Sequence, residues 1–323
     1  MKVEYLVPPV LILAYRRLDS LINIIEGLKK IGCREIYISC DGPDRSNQFD
    51  ANFLKVQGYL NSLKSTNEIE YRIRIQSEHF GCAVNVLSSV DWFFSNVSFG
   101  VVLEDDCIPS EQFFKFIDHS KNVFMENREI WFICGTQAVP SFYFSDSWVL
   151  SNYPQLWGWA TSSERWKEMK LQLLNHRFLS EKDSTIDYFE RVYWNAGSRR
   201  ALEGFTDVWD TVIVQLMRGN GKLALLPNKN LVINIGDDTF ATNVNGVKLH
   251  LYSKTYSFNF PVSPPVQNSL ADSWFYAEIL KGHKGRLITI KINIFLDYFR
   301  KKKFNKGLIE RLLETNFFHN AFR

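Results

Sequence analysis

Apolar positions along the chain fall into an alternating pair of patterns. Pro9-Val10-Leu11-Ile12-Leu13-Ala14-Tyr15 is a continuous apolar run that ends in Arg16-Arg17. Leu18, Leu21, Ile22, Ile25 and Leu28 follow at helical spacing, which predicts a buried strand and then an amphipathic helix. The pair recurs in Glu35 to Cys40, which stops at the turn signal Asp41-Gly42-Pro43 and leads to a helix through Phe53, Val56 and Leu60. Tyr71 to Ile75 alternates like a strand with one wetter face, Cys82 to Phe94 reads as a helix, and Gly100 to Leu103 as the next strand. Strands separated by helices imply an α/β fold. Its sheet is expected to be mixed and mostly parallel, with right-handed crossovers and helices on both faces.

The later pattern is less regular. Phe113, Phe114, Phe116 and Ile117 predict a helix, Ile130 to Gly135 a strand, and Phe142 to Leu150 β structure. Trp157-Gly158-Trp159-Ala160-Thr161 precedes a helix containing Trp166, and the segment 170–203 reads as helical and amphipathic. Asp207-Val208-Trp209-Asp210 opens a helix over Thr211 to Arg218, closed by Gly219-Asn220-Gly221. Leu223 to Leu226 and Leu231 to Ile235 are short strands. A boundary is expected where Pro, Ser and Asn take over at Pro261 to Pro265, giving a main domain over 1–260 and a C-terminal extension over 261–323. Within the first, 1–106 would be a nucleotide-binding half and 107–260 an acceptor half.

Charge enters this picture at the strand ends. Arg16 and Arg17, Asp41, Glu78 or His79, and Glu104-Asp105-Asp106 all follow an apolar run directly. Burying charge is costly unless it is paired or bound to a metal, so these groups should emerge at the carboxyl edge of the sheet, where open α/β sheets bind ligands. The triplet after Val101-Val102-Leu103 stands as either a solvated acidic turn or a metal site. A cation at a helix start opposes the helix dipole, which favours a functional role for Arg17. Asp41 before Gly-Pro fits an Asx turn as well as a ligand contact. Asp207 and Asp210 fit helix N-caps as well as site residues.

Composition narrows the class. Apolar residues make up 46% and charged residues 23%, enough for a large core. A net charge of +3 with scattered basic residues argues against nucleic acid. Five cysteines without a CxxC pair read as reduced packing residues, and neither a signal peptide nor a spanning run is visible, so a cytoplasmic protein is expected. Neither GxGxxG nor a P-loop occurs. Basic and aromatic residues interleave from Ile288 to Phe304, which fits a helix with a solvated lysine end or a peripheral contact with the inner face of a membrane.

The ordered set of the first strand with Arg16-Arg17, Ser39-Cys40-Asp41-Gly42-Pro43, and Val101 to Asp106 resembles GT-A-type nucleotide-sugar glycosyltransferases. More narrowly it resembles the N-acetylglucosaminyltransferase I group and its bacterial relatives, over roughly residues 8–245. The resemblance implies a Rossmann-like GT-A sheet and an inverting, metal-dependent transfer. The sugar would move from a nucleotide-sugar, in the first instance a uridine diphosphate sugar, to a glycan or glycolipid hydroxyl. It implies that Asp106 holds Mn²⁺ or Mg²⁺, that Glu104 and Asp105 meet ribose, sugar hydroxyls or metal-bound water, and that Arg17 approaches the nucleotide or its phosphates. Asp41 would accept from the base, Asp210 would be the catalytic base, and Asp207 a cap or supporting contact. Trp157, Trp159 and Trp209 would wall the acceptor or sugar, unless they are core. Many of the bacterial relatives carry a Thr-His pair after an Ile-Gly step, whereas this chain has Asn243 where the His is expected. The metal would then rest on Asp106, diphosphate and water, or the donor would be gripped differently. Two rivals stay open. One is a sugar-nucleotide nucleotidyltransferase, although Ala14-Tyr15-Arg16-Arg17 lacks its Gly-rich loop; the other is a non-catalytic carbohydrate-binding or assembly subunit on the same fold.

Overall fold

The computed structural model describes residues 5–44, 50–139, 146–180, 185–236, 257–261 and 263–276. Strands and helices alternate at the start of the chain: β1 (Val10–Ala14), α1 (Leu18–Ile31), β2 (Glu35–Cys40), α2 (Ala51–Ser62), β3 (Glu70–Ile75), α3 (Cys82–Phe94), β4 (Phe99–Glu104), β5 (Cys107–Pro109), α4 (Glu111–Glu126) and β6 (Ile130–Cys134). There follow β7 (Trp148–Ser151), β8 (Trp159–Ser162), α5 (Ser163–Leu174), α6 (Tyr188–Leu202), α7 (Asp210–Gly219), β9 (Leu223–Pro227), β10 (Val232–Asn234) and α8 (Ser269–Phe275).

Eight strands form one sheet in the order β3-β2-β1-β4-β8-β6-β9-β7, and β10 pairs with β5 in a small second ribbon. The half from β3 to β4 is parallel, as the strand-helix alternation requires. β8 then inserts antiparallel between β4 and β6, β9 runs parallel to β6, and β7 closes the edge antiparallel to β9. Alternate residues of β1 feed opposite faces. Val10, Ile12 and Ala14 join a core with α1, α2 and α4, while Leu11 and Leu13 join one with α3, α5 and α7. All five β1 residues are therefore buried, the cause of the unbroken apolar run.

One expectation changes. Segment 170–203 is not one helix: α5 ends at Leu174, and α6 starts afresh at Asp187, whose carboxylate accepts from the Phe189 and Glu190 N–H groups. Ile186 and Leu179 are buried between the two helices, so the apolar periodicity there belongs to a packed connection. Beyond the expected boundary, Trp148 Nε1 donates to the Ser263 carbonyl, and the Leu150 N–H to that of Val266. Asp272 accepts from Ser151 and Asn152, so described residues on both sides of position 260 pack on the same sheet. Ile288 to Phe304 lies outside the described residues. Among those described, no helix is long and apolar enough to cross a membrane.

Candidate active site

Register places the acidic triplet. Leu13 of β1 sits opposite Glu104 of β4, so Asp105 and Asp106 emerge beside the turn that follows β1. There the Tyr15 N–H donates to Asp105 Oδ2 at 3.1 Å, and Arg17 Nη1 donates to Asp105 Oδ1 at 2.8 Å. Arg17 also lies 3.4 Å from Asp106 Oδ2, so one guanidinium spans both carboxylates. Asp105 and Asp106 are buried and Glu104 is half-buried. Burial pushes the Asp105 carboxyl up to about 6, with Arg17 opposing and Asp106 adding. Glu104 is raised well above the carboxylate range, first by burial and then by the Asp106, Asp210 and Asp105 carboxylates. Asp210, at the start of α7, is one of the carboxylates that raise it. The triplet is thus a cluster held inside the rim, not a solvated turn.

Asp106 is also approached from the far end of the chain. β10 lies antiparallel to β5, the Ile235 N–H donates to the Asp106 carbonyl at 2.9 Å, and Asn234 Nδ2 reaches Asp106 Oδ1 at 3.4 Å. Gly236 follows, and a Cβ there would sit under 3.0 Å from Asp106 Oδ2. Glycine is required so that the backbone can close over the carboxylate. Asn243, downstream of this point, lies outside the described residues.

Asp41 is engaged from within the chain. Its carboxylate accepts from the N–H groups of Gly42 (2.9 Å), Phe80 (3.0 Å) and Gly81 (3.1 Å) and from His79 Nδ1 (2.7 Å). A carboxylate offers about four acceptor positions. All are filled, so the expected acceptance from a base has no open position in this arrangement, and Asp41 instead organises the turn before α3. The hydrogen bond to Asp41 raises the His79 imidazole above its usual value, and its ring stacks on Tyr15 with centroids 5.1 Å apart.

Asp207 likewise does not cap its own helix. It accepts from the Cys82 N–H at 2.6 Å and the Ala83 N–H at 2.8 Å, capping α3 from 125 and 124 residues away. Four successive amides, 80 to 83, are thus taken by two carboxylates. Helix N-termini at the carboxyl edge of a sheet commonly hold phosphates; this one is already filled by the protein's own anions.

Asp210 is the first residue of α7 and is exposed, with Oδ1 accepting from the Thr211 N–H at 2.7 Å. The helix start was expected to keep it readily ionised. The surrounding protein mass outweighs that contribution and raises its carboxyl, despite the Thr211 hydrogen bonds. Trp159 and Trp209 correct the expected wall: they are 1% and 4% exposed and pack on each other inside the core at 5.9 Å, with Phe132 edge-on to Trp159. Trp157 is half-buried. Gly158 between them adopts φ +75° and packs on Val232, so the Trp-Gly-Trp stretch is a tight entry into β8.

Tyr15, Cys82 and Asn234 join the site without a linear signal. The half-buried Cys82 thiol is raised well above its usual value, mainly by burial and then by Glu104, Asp207, Asp210 and Asp41, a measure of how these carboxylates converge on the first turn of α3. Among the described residues no three His, Cys, Asp or Glu side chains form a metal cage.

No protein-family model matches the chain, and no curated protein matches it. Solved structures align over parts of it. HddC from Yersinia pseudotuberculosis is 12% identical over 49% of this chain and 77% of its own, with a TM-score of 0.29. The mannosyltransferase PcManGT from Pyrobaculum calidifontis, in complex with GDP-Man and Mn²⁺, is 11% identical over 63% and 56%, at 0.33. An apo UDP-glucose pyrophosphorylase is 8% identical over 69% and 90%, at 0.37. At these scores the likenesses carry no weight on activity.

Proposed function

We propose that the chain is an inverting, metal-dependent glycosyltransferase that moves a sugar from a nucleotide-sugar, first of all a uridine diphosphate sugar, to a glycan or glycolipid hydroxyl. One observation carries the reading: Arg17 pairs with Asp105 and Asp106, next to Glu104 at the carboxyl edge of the parallel half, and the segment that leads into Asp210 is bonded through Asp207 to the first turn of α3. That is a site with two functions, one facing a leaving group and one a nucleophile.

Hard carboxylate oxygens carrying more negative charge than Arg17 offsets fit Mg²⁺ or Mn²⁺, ions that use one or two carboxylates beside substrate phosphates and water. Asp106 would be the direct ligand. The cation would offset charge building on the departing diphosphate. Arg17 holds Asp105 and Asp106 in place and adds positive charge beside the phosphates, while Glu104 and Asp105 meet ribose or sugar hydroxyls. As the acceptor oxygen bonds to the anomeric carbon, the bond from that carbon to the phosphate oxygen breaks. The hydroxyl proton passes to Asp210, whose raised proton affinity suits a general base better than an ordinary carboxylate would. Single displacement with one base inverts the anomeric centre.

The test is a panel of nucleotide-sugars with Mn²⁺ and hydroxyl acceptors, with the product's anomeric configuration read by NMR. Inverted product and free nucleoside diphosphate are expected. Retained configuration would remove the single displacement, release of pyrophosphate would show a nucleotidyltransferase, and binding without turnover would show a non-catalytic subunit. For a lipid-linked acceptor, the tail from Ile288 to Phe304 would contact the inner face of the membrane. Unchanged vesicle co-sedimentation after its removal would refute that contact.

A further inference from the structure

The carboxylate of Asp207 joins two parts of the cleft that no strand pairing connects. It stands three residues before Asp210 on the segment entering α7, yet it bonds the first two amides of α3 at 2.6 and 2.8 Å. The amides just before those are held by Asp41 from the end of β2. The first turn of α3 is therefore a joint, with Asp41 tying it to the donor-side rim and Asp207 tying it to the helix that carries Asp210. α3 supplies no capping side chain of its own, since Gly81 stands at its cap position. The α7 entrance is also held by Trp209, packed against Trp159, by Val208 against the same core, and by Ser198 Oγ, which donates to the Thr211 carbonyl at 3.3 Å.

We propose that Asp207 is a positioning residue that sets Asp210 at its working distance from the donor. This rests on the glycosyltransferase reading. A charge-assisted double bond to two amides is stiff, and with only two residues between the carboxylates its loss would let the start of α7 drift. Displacing a reacting group by about 1 Å costs up to about 100-fold in rate while leaving remote binding intact. The joint also keeps two amides at a helix N-terminus from attracting a stray anion.

The experiment compares wild type with Asp207→Ala and Asp207→Asn. The readouts are kcat and KM for donor and acceptor, calorimetric binding of uridine diphosphate with Mn²⁺, and amide exchange over residues 80–83 and 211–213. Asp207→Ala should lower kcat by roughly 10- to 100-fold while nucleotide affinity stays within about twofold. Exchange should rise at 82–83 and at 211–213, and added formate, but not chloride at equal ionic strength, should restore part of kcat by reoccupying the two amides. Asp207→Asn, which offers one acceptor oxygen and an amide donor to two N–H groups, should fall well short of wild type. Unchanged kcat would overturn the proposal, as would parallel loss of nucleotide affinity and kcat, or protection of 211–213 that does not change. If wild type turns over no nucleotide-sugar, the glycosyltransferase reading falls by itself. The exchange at 211–213 then still decides whether Asp207 holds α7 in place.

Discussion

Replacing Gly236 by alanine tests the site through a single methyl group. Its backbone is not in the left-handed region, so alanine meets no conformational penalty; the obstacle is space. The new Cβ would lie under 3.0 Å from Asp106 Oδ2, 3.2 Å from its Cγ and 3.1 Å from Asn234 Oδ1. The Asp106 side chain is short and buried, with Arg17, Asn234 and Cys107 around it. Reaching ordinary contact distance therefore needs a shift on the order of 1 Å in the carboxylate or in the strand that carries Gly236. Overpacking of this kind costs about 1–3 kcal/mol. For a chain of this length, with an unfolding entropy of about 0.7 kcal/mol per degree, Tm should fall by roughly 2–4 °C. A shift of that size at the carboxylate proposed to bind the metal should cost about 100-fold in turnover and weaken Mn²⁺-dependent binding of uridine diphosphate. Gly135→Ala is the control. Its Cβ would meet Val232 Cγ2 at 2.5 Å and Phe113 Cε2 at 2.7 Å, apolar atoms only. It should lower Tm at least as much while sparing nucleotide affinity in the folded protein. Calorimetry and thermal melts read both. Wild-type Mn²⁺-dependent affinity in Gly236→Ala, or equal loss of affinity in Gly135→Ala, would refute the placement of Asp106 at the metal.

The other predictions address the base, the helices and the buried ion pair. Asp210 must be ionised to accept a proton, and its folded pKa is raised. The acid limb of kcat should therefore lie above the pKa of an ordinary Asp, activity falling as pH drops through it; a flat profile down to that pKa would argue against this base. Gly27 and Gly58 sit inside α1 and α2 with no atom within 4 Å of a built Cβ. The double alanine variant should gain about 1–2 kcal/mol, a Tm rise of roughly 2–3 °C, and a lower Tm would expose an unseen contact. Arg218 bonds both Glu190 oxygens, at 2.6 and 3.1 Å, with both side chains under 10% exposed. Arg218→Met alone should cost about 3–5 kcal/mol by stranding the carboxylate. Adding Glu190→Leu should recover much of that in urea denaturation; strictly additive losses would contradict a coupled pair.

The parallel half was legible because β1, β2 and β4 are buried on both faces. Val10 to Ala14 and Val101 to Leu103 carry no polar interruption, and the charge that follows each has only the carboxyl edge to occupy. That abruptness places the acidic triplet and Arg17 at the edge, while leaving the triplet open between an acidic turn and a metal site. The insertion of β8 between β4 and β6 could not, since Trp159 to Ser162 is only four residues long and its partners lie far away in the chain. Trp159 and Trp209 read equally well as ligand wall or core, because an aromatic beside a turn looks the same in either role; burial decides for core. Asp207 was recognisable as a capper and Asp41 as an Asx turn by residue type, but the distant amides they also hold, Cys82 and Ala83 for one and Phe80 and Gly81 for the other, were not. No local pattern encodes a bond across 125 residues. The carboxylate convergence around Cys82 is likewise a property of the folded edge.

The most direct test of the two-part site is calorimetric titration of uridine diphosphate, with and without Mn²⁺, into wild type, Asp106→Ala and Asp210→Asn. Mn²⁺-dependent binding that is equal in wild type and Asp210→Asn and lost in Asp106→Ala is the predicted result. No Mn²⁺-dependent binding to wild type, or binding to Asp106→Ala as tight as to wild type, would contradict it.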